Sequence, residues 1–149
     1  RRNEARLRKM GGIESGARLH PFIVLLHALW LGAMLVSVPS GAPVDWPLLW
    51  FFGVLQLGRY WVIATLGRCW TTRIITIPGS ALIRRGPYRF LRHPNYLIVA
   101  AEIAVLPLAF GAWRIALAFS VLNALLLIIR VRAENTALDA HCVRVPGGT

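Results

Sequence analysis

A chain of 149 residues that is 56% hydrophobic and only 15% charged is too apolar for a soluble domain, which ordinarily has about a quarter of its residues charged. The net charge of +11 comes almost wholly from arginine, with Lys9 the only lysine, and the arginines mostly avoid the apolar stretches. That partition is the positive-inside signature of a membrane protein and argues against nucleic-acid binding, which concentrates basic residues on one face of a polar domain.

The chain opens on Arg1-Arg2-Asn3-Glu4-Ala5-Arg6 rather than on the short apolar core of a signal peptide. Residues 1–19 read as a basic helix lying on the membrane surface. No initiator Met precedes them, and a further helix upstream is expected. Cys69 and Cys142 lie far apart and form no CxxC pair, so they indicate neither a disulfide framework nor a metal site.

Crossing the hydrocarbon core takes about 20 apolar residues. The first predicted span covers residues 21–38, interrupted only by His27 and Ser37. The second, residues 46–66, carries Gln56 and Arg59. The third, residues 96–110, is short and contains Glu102 and Pro107; the fourth, residues 113–129, contains Arg114 and Asn123. Trp46, Trp50, Trp61, Trp70 and Trp113 sit near span ends, as in an interfacial aromatic belt.

The connections set the topology. The loop at residues 39–45 has no Lys or Arg and is placed outside. The segment 67–95 carries Arg68, Arg73, Arg84, Arg85, Arg89 and Arg92 and is placed in the cytoplasm, as is the end of the fourth span with Arg130 and Arg132. Gly111-Ala112 leaves room only for a tight helical hairpin between the last two spans. The predicted fold is an all-α integral membrane bundle of about four helices, in a single domain over residues 1–149.

Ionisable groups inside a span are costly and mark function or pairing. Arg59 and Glu102 each lie six or seven residues from the inner end of their spans, about 10 Å deep at ~1.5 Å per residue. Equal depth lets them pair, as a structural ion pair or as a substrate-binding polar face that Gln56, one turn from Arg59, extends. Asn123, Arg130 and Glu134 fall on one stripe of the last helix, where Arg130 and Glu134 form an i, i+4 pair. His27 is expected to hydrogen-bond a neighbouring helix, whereas His20 and His141 show no partner.

The most informative stretch is Gly86-Pro87-Tyr88-Arg89-Phe90-Leu91-Arg92-His93-Pro94-Asn95-Tyr96. It is a polar, aromatic, proline-punctuated approach to the third span, with Pro94 suited to the first helical turn and His93 at its lip. The helix start, with its unpaired N–H groups, suits an anionic group.

The run Gly86-x-Tyr88, then Arg92-His93-Pro94-x-Tyr96, then Arg130 and Glu134 beyond a further span, resembles the isoprenylcysteine carboxyl methyltransferase family. Related phospholipid methyltransferases share the general plan, and the resemblance covers about residues 56–138. It implies a pocket for S-adenosylmethionine between the last two helices and the preceding loop. By this resemblance Tyr88, His93, Pro94 and Tyr96 line the cofactor pocket, Glu134 closes it, and Arg92 and Arg130 hold a carboxylate. Arg92, His93 and Glu134 are the candidate catalytic residues; Arg59 and Glu102 are candidates for binding substrate. The family's closing Glu-Glu pair is here Glu134-Asn135, a departure that bears on the acceptor. The chain has no GxGxxG turn of the kind found in a soluble α/β cofactor-binding domain.

Methyl transfer is an in-line displacement, so positioning and desolvation supply much of the catalysis. A carboxylate acceptor needs no general base; an alcohol or phenol does, with His93, Glu134 or Glu102 as candidates. The expected acceptor is lipophilic and drawn from the bilayer, while the cofactor arrives from the cytoplasm. Isoprenylcysteine carboxylates, phenolic lipids, polyketides and phospholipid amines all suit this scheme. The rival from another class is a small non-enzymatic transporter, in which Arg59 and Glu102 would mark the path.

Overall fold

A computed structural model describes residues 2–80 and 85–141. Arg1, Arg84 and Cys142 lie outside the described residues, as does the side chain of His141. The elements in chain order are α1 (Arg2–Lys9), β1 (Ile13–Ser15), α2 (His20–Ser37), α3 (Trp46–Leu66), β2 (Ile74–Thr76), α4 (Pro94–Ala109) and α5 (Trp113–His141). Short 3-10 turns stand at Ala17–Leu19, Gly67–Cys69 and Gly86–Arg89.

Prolines and caps set the helix ends. α2 and α4 each carry a proline in the first turn, Pro21 and Pro94, where the missing N–H costs nothing. α3 has Pro47 there too, and its cap Asp45 accepts from Leu48 N at 3.1 Å. Gly67 stops α3 at φ 50°. Gly111, at φ 70°, reverses the chain between α4 and α5. The hairpin is locked by bonds from Gly111 N to Leu108 O at 2.9 Å and from Ala112 N to Pro107 O at 2.9 Å.

Three helical stretches are long and apolar enough to cross a membrane: Ala17–Ser37, Trp46–Cys69 and Trp113–Ala140. The predicted third span is the apolar helix α4, at 16 residues shorter than the rest. The last helix runs well beyond residue 129, so Arg130 and Glu134 stand on it. Large apolar side chains point outward along the long helices, Leu35, Val36, Trp50 and Leu57 among them. So extended an apolar exterior is the lipid face of a membrane protein.

α4 lies between α3 and α5, and α5 packs on α2. The core joins Leu26 and Trp30 of α2 to Ile103 of α4, with Phe119 and Leu126 of α5 packed against them. The amino-terminal segment differs from the continuous basic helix expected over residues 1–19. α1 ends at Lys9, and the chain turns through Gly11 and Gly12. A Cβ on Gly12 would meet Leu7 O at 2.6 Å, so only glycine lets the chain fold back this tightly. It then pairs β1 with β2 antiparallel, Ile13 opposite Thr76 and Ser15 opposite Ile74.

Candidate functional site at the arginine-rich lip of the bundle

A cavity of about 920 Å³ opens into the bundle and is lined from α2, α3, α4 and α5. Leu7 of α1, strand β2 and the Gly86–Arg89 turn close it at the end bearing the arginine-rich segment. The volume lies at the upper end of the range for small-molecule sites.

The segment before α4 is shaped by backbone requirements. Gly86 has φ 57°, and a Cβ there would meet Thr65 Oγ1 of α3 at 2.6 Å. Pro87 is buried behind it, which delivers Tyr88 to the cavity wall. Pro94 is buried and opens α4 from just behind the lip; it acts through the backbone and is not among the cavity-lining residues expected from the sequence.

At the lip, side chains from the loop, α4 and α5 form one connected network. Arg130 Nε donates to the Tyr96 hydroxyl at 2.8 Å, and that hydroxyl donates in turn to Glu134 Oε2. The expected pairing of Arg130 with Glu134 is therefore relayed through a phenol. Arg130 also donates from Nη2 to the Thr72 carbonyl at 2.5 Å, and Thr72 Oγ1 lies 3.3 Å from His20 Nε2. His20, given no partner by the sequence, thus belongs to the same layer. Glu134 Oε1 is 3.6 Å from His93 Nδ1, while His93 Nε2 lies 2.9 Å from Asn135 Oδ1. The His93 and Tyr96 rings stack at 5.4 Å with 13° between planes.

Both His93 nitrogens face oxygen acceptors, an arrangement that favours the doubly protonated ring. The Glu134 carboxylate is the main cause of an imidazole pKa raised above its ordinary value; Asn135 adds to it, while burial and Arg92 oppose. Burial, with the negative charge of Glu134, pushes the Tyr88 phenol up to about 12, so it stays a neutral donor.

Arg92 lines the cavity and pairs with Asp139 at 3.0 Å in an exposed bridge between the loop and α5. Deeper in the bundle, Arg59 Nε donates to Glu102 Oε1 at 2.9 Å, with a second contact from Nη2 to Oε2. Gln56 Nε2 donates to the same Oε1 at 2.8 Å. The pair expected from equal depth is thus present. Of its two members only Arg59 lines the cavity; Glu102 is buried behind it as its anchor.

Three contributors were not assigned to the site from the sequence: His20, His27 and Thr72. Thr72 acts through a carbonyl that any residue possesses. His27 bonds its own helix, Nδ1 to Ile23 O at 2.8 Å, rather than a neighbouring helix, and its ring lines the cavity. Asn135 carried a signal, as the position where the expected second acid is replaced.

The sequence pattern of the isoprenylcysteine carboxyl methyltransferase family matches residues 48–140, which contain α4, nearly all of α3 and α5, and the lip residues Tyr88, His93, Tyr96, Arg130 and Glu134. The chain is 36% identical to the Bacillus subtilis (strain 168) uncharacterized protein YpbQ over 150 residues, covering 97% of this chain and 88% of that one. It is 26% identical to an uncharacterized protein of Haemophilus influenzae (strain ATCC 51907 / DSM 11121 / KW20 / Rd) over 146 residues, covering 93% and 83% respectively. No solved structure matches.

Proposed function

Because the chain belongs to the isoprenylcysteine carboxyl methyltransferase family and is a membrane methyltransferase, we propose that it takes its methyl group from S-adenosylmethionine and delivers it to a lipophilic acceptor from the bilayer. The observation that carries this reading is the joined His93, Glu134, Tyr96 and Arg130 network at the mouth of a 920 Å³ cavity.

The donor set suits the cofactor's parts. Arg92 and Arg130 offer positive N–H groups to a carboxylate, and Glu134, held beside His93, offers an acceptor to an ammonium or to ribose hydroxyls. Tyr88 and Tyr96 supply aromatic walls. When bound, the cofactor supplies an electrophilic methyl group on a sulfonium. The protein's share is to hold the cofactor's carboxylate end at the lip, to position the acceptor beneath its methyl group, and to keep water out. Arginines concentrated around the lip support a cytoplasmic cofactor side. The lipid-facing helices on either side of the cavity support acceptor access from the bilayer, and membrane lipids are the natural neighbours.

Carboxyl O-methylation, the chemistry of the family's name, needs no base. A second reading is methylation of a protic group on a phenolic lipid, polyketide or phospholipid. It is favoured by His27, whose second ring nitrogen has no partner among the described residues. In neither case is His93 a free base, since both its nitrogens are engaged.

Calorimetric titration with S-adenosylhomocysteine, beside a His93→Ala, Glu134→Ala double variant, tests the reading. Saturable binding lost in the variant is the expected result. A well-folded wild type that binds nothing would remove the cofactor from the scheme.

A further inference from the structure

The lip residues occupy one level of the bundle, and the helices fix what lies beneath them. His20 on α2, Tyr96 on α4 and Arg130 on α5 are joined through Thr72 and the Tyr96 hydroxyl. Seven residues further along α2 stands His27, and seven residues back along α5 stands Asn123. Each is about 10 Å deeper at ~1.5 Å per residue. Glu102 is six residues beyond Tyr96 on α4 and brings Arg59 of α3 to the same depth. Three polar side chains from three helices thus line one cavity at one membrane-embedded level.

All three have hydrogen-bonding capacity left over. Asn123 is only 3% exposed and has no partner among the described residues. Arg59 grips Glu102 through Nε and Nη2, which leaves Nη1 without a partner among the described residues. His27 is the most specific. A carbonyl oxygen can only accept, so the 2.8 Å contact with Ile23 O puts the proton of the neutral ring on Nδ1. Nε2 is then a bare lone pair. Trp30 packs edge-on against the ring, 6.4 Å between centroids and 82° between planes, and fixes its orientation.

Two donors and one lone-pair acceptor in an apolar cavity match a group that both accepts and donates, and an unmatched polar ligand would leave them unpaired at high cost. We propose that His27, Arg59 and Asn123 form an acceptor subsite for a lipid bearing a hydroxyl head group, with His27 Nε2 receiving the hydroxyl hydrogen and Arg59 or Asn123 donating to its oxygen. This inference rests on the methyltransferase reading and names the acceptor class for it. In the transfer, the hydroxyl oxygen bonds the methyl carbon as the carbon–sulfur bond breaks. The hydroxyl proton passes to Nε2, from which it returns to water through the cavity mouth. His27 is the base of this scheme, and Glu102, whose hydrogen-bond partners among the described residues are Arg59 and Gln56, is a positioning residue.

The test uses two probes of nearly equal shape, 4-dodecylphenol and 4-dodecylanisole, titrated into the protein in nanodiscs with empty nanodiscs as the blank. The phenol is expected to bind about tenfold or more tightly than its methyl ether, the worth of one buried hydrogen bond. The preference should vanish in His27→Leu and survive in part in His27→Gln, whose amide oxygen can accept. Equal affinities in the wild type, or a preference that persists in His27→Leu, overturns the proposal. Should His27→Leu fold poorly, nitrogen NMR of histidine-labelled wild type decides, with His27→Gln assigning the signal. An unprotonated Nε2 that shifts with the phenol and not with the ether supports the subsite; a protonated Nε2, or an equal response to both probes, overturns it. S-adenosylhomocysteine titrations on the same samples report the cofactor site separately, so failure at the floor and failure at the lip are told apart.

Discussion

The hydroxyl of Tyr96 on α4 is hydrogen-bonded to the carboxylate of Glu134 on α5, across 38 residues of sequence, while accepting from Arg130 at 2.8 Å. One phenol thus separates and joins an acid and a base that would otherwise attract directly. Tyr96→Phe should keep the packing and lose the relay. Hydrogen bonds to charged groups contribute about 1.5–3 kcal/mol each, so S-adenosylhomocysteine affinity should fall at least about tenfold in calorimetric titration. Unchanged affinity would remove Tyr96 from the cofactor site.

His93 gives a pH signature with a definite sign. Its imidazole pKa is raised from the ordinary 6.5, chiefly by the Glu134 carboxylate. A raised value means that the folded state holds the proton more tightly than the unfolded chain. The stabilisation is therefore complete below the unfolded value and lost as pH rises through the folded one. The melting-temperature gap between wild type and His93→Gln should be widest below the ordinary value of 6.5 and should narrow as pH rises above it. A gap that widens with pH would contradict the Glu134 contact.

Much of this arrangement was legible in the sequence because it follows from hydropathy and depth. Span positions come from apolar length, and the meeting of Arg59 with Glu102 comes from equal distance to the arginine-rich ends of their spans. The β1–β2 pair was not legible: two three-residue strands about 60 residues apart carry no periodicity worth reading. α1 ends just before Gly11-Gly12, two helix-breaking glycines that the run of basic residues before them obscures. The role of His27 was not legible, because its partner lies on its own helix and only the cavity's position gives meaning to a second ring nitrogen without a partner among the described residues. The relay through Tyr96 needs the angle between two helices, which no spacing along one helix encodes.

Gly86 is the steric hinge of the segment leading to His93. At φ 57° an L side chain is strained, and its Cβ would press on Thr65 Oγ1 at 2.6 Å. Gly86→Ala should cost about 2 kcal/mol from backbone strain and overlap together, with weaker cofactor binding as Tyr88 moves. Adding Thr65→Ala removes the nearest atoms and should recover part of the loss, since the remaining Cβ contact is 3.4 Å. No recovery in the double variant would mean that the backbone conformation alone sets the cost.

Arg73 ties the amino-terminal segment over the cavity. It bonds Glu14 at 2.7 Å and Glu4 at 3.0 Å, and Glu14 also pairs with Arg8. Asn3 adds a bond from Nδ2 to Trp70 O at 2.9 Å. Partly exposed pairs of this kind are screened by salt. Arg73→Ala should speed hydrogen exchange of the amides in residues 2–15 while leaving α4 unchanged. High salt should move the wild type in the same direction. If exchange in residues 2–15 stays the same, the packing of Leu7, rather than the ion pairs, holds the segment.

Glu102 offers the sharpest separation of structure from function. It is 6% exposed and accepts from Arg59 and Gln56 at once. Glu102→Leu strands the Arg59 guanidinium inside the bundle, and breaking a buried pair from one side costs about 3–5 kcal/mol. The lower end applies here, because Arg59 keeps 33% of its side chain exposed, toward the cavity it lines. Replacing both residues, Arg59→Leu with Glu102→Leu, removes the orphaned charge and should restore most of the melting temperature. It should not restore methylation of a lipid acceptor, because the donor at the cavity floor is gone. A double variant that regains both stability and activity would make the pair purely structural. One that regains stability alone leaves Arg59 as a ligand to the acceptor, with Glu102 holding it in place.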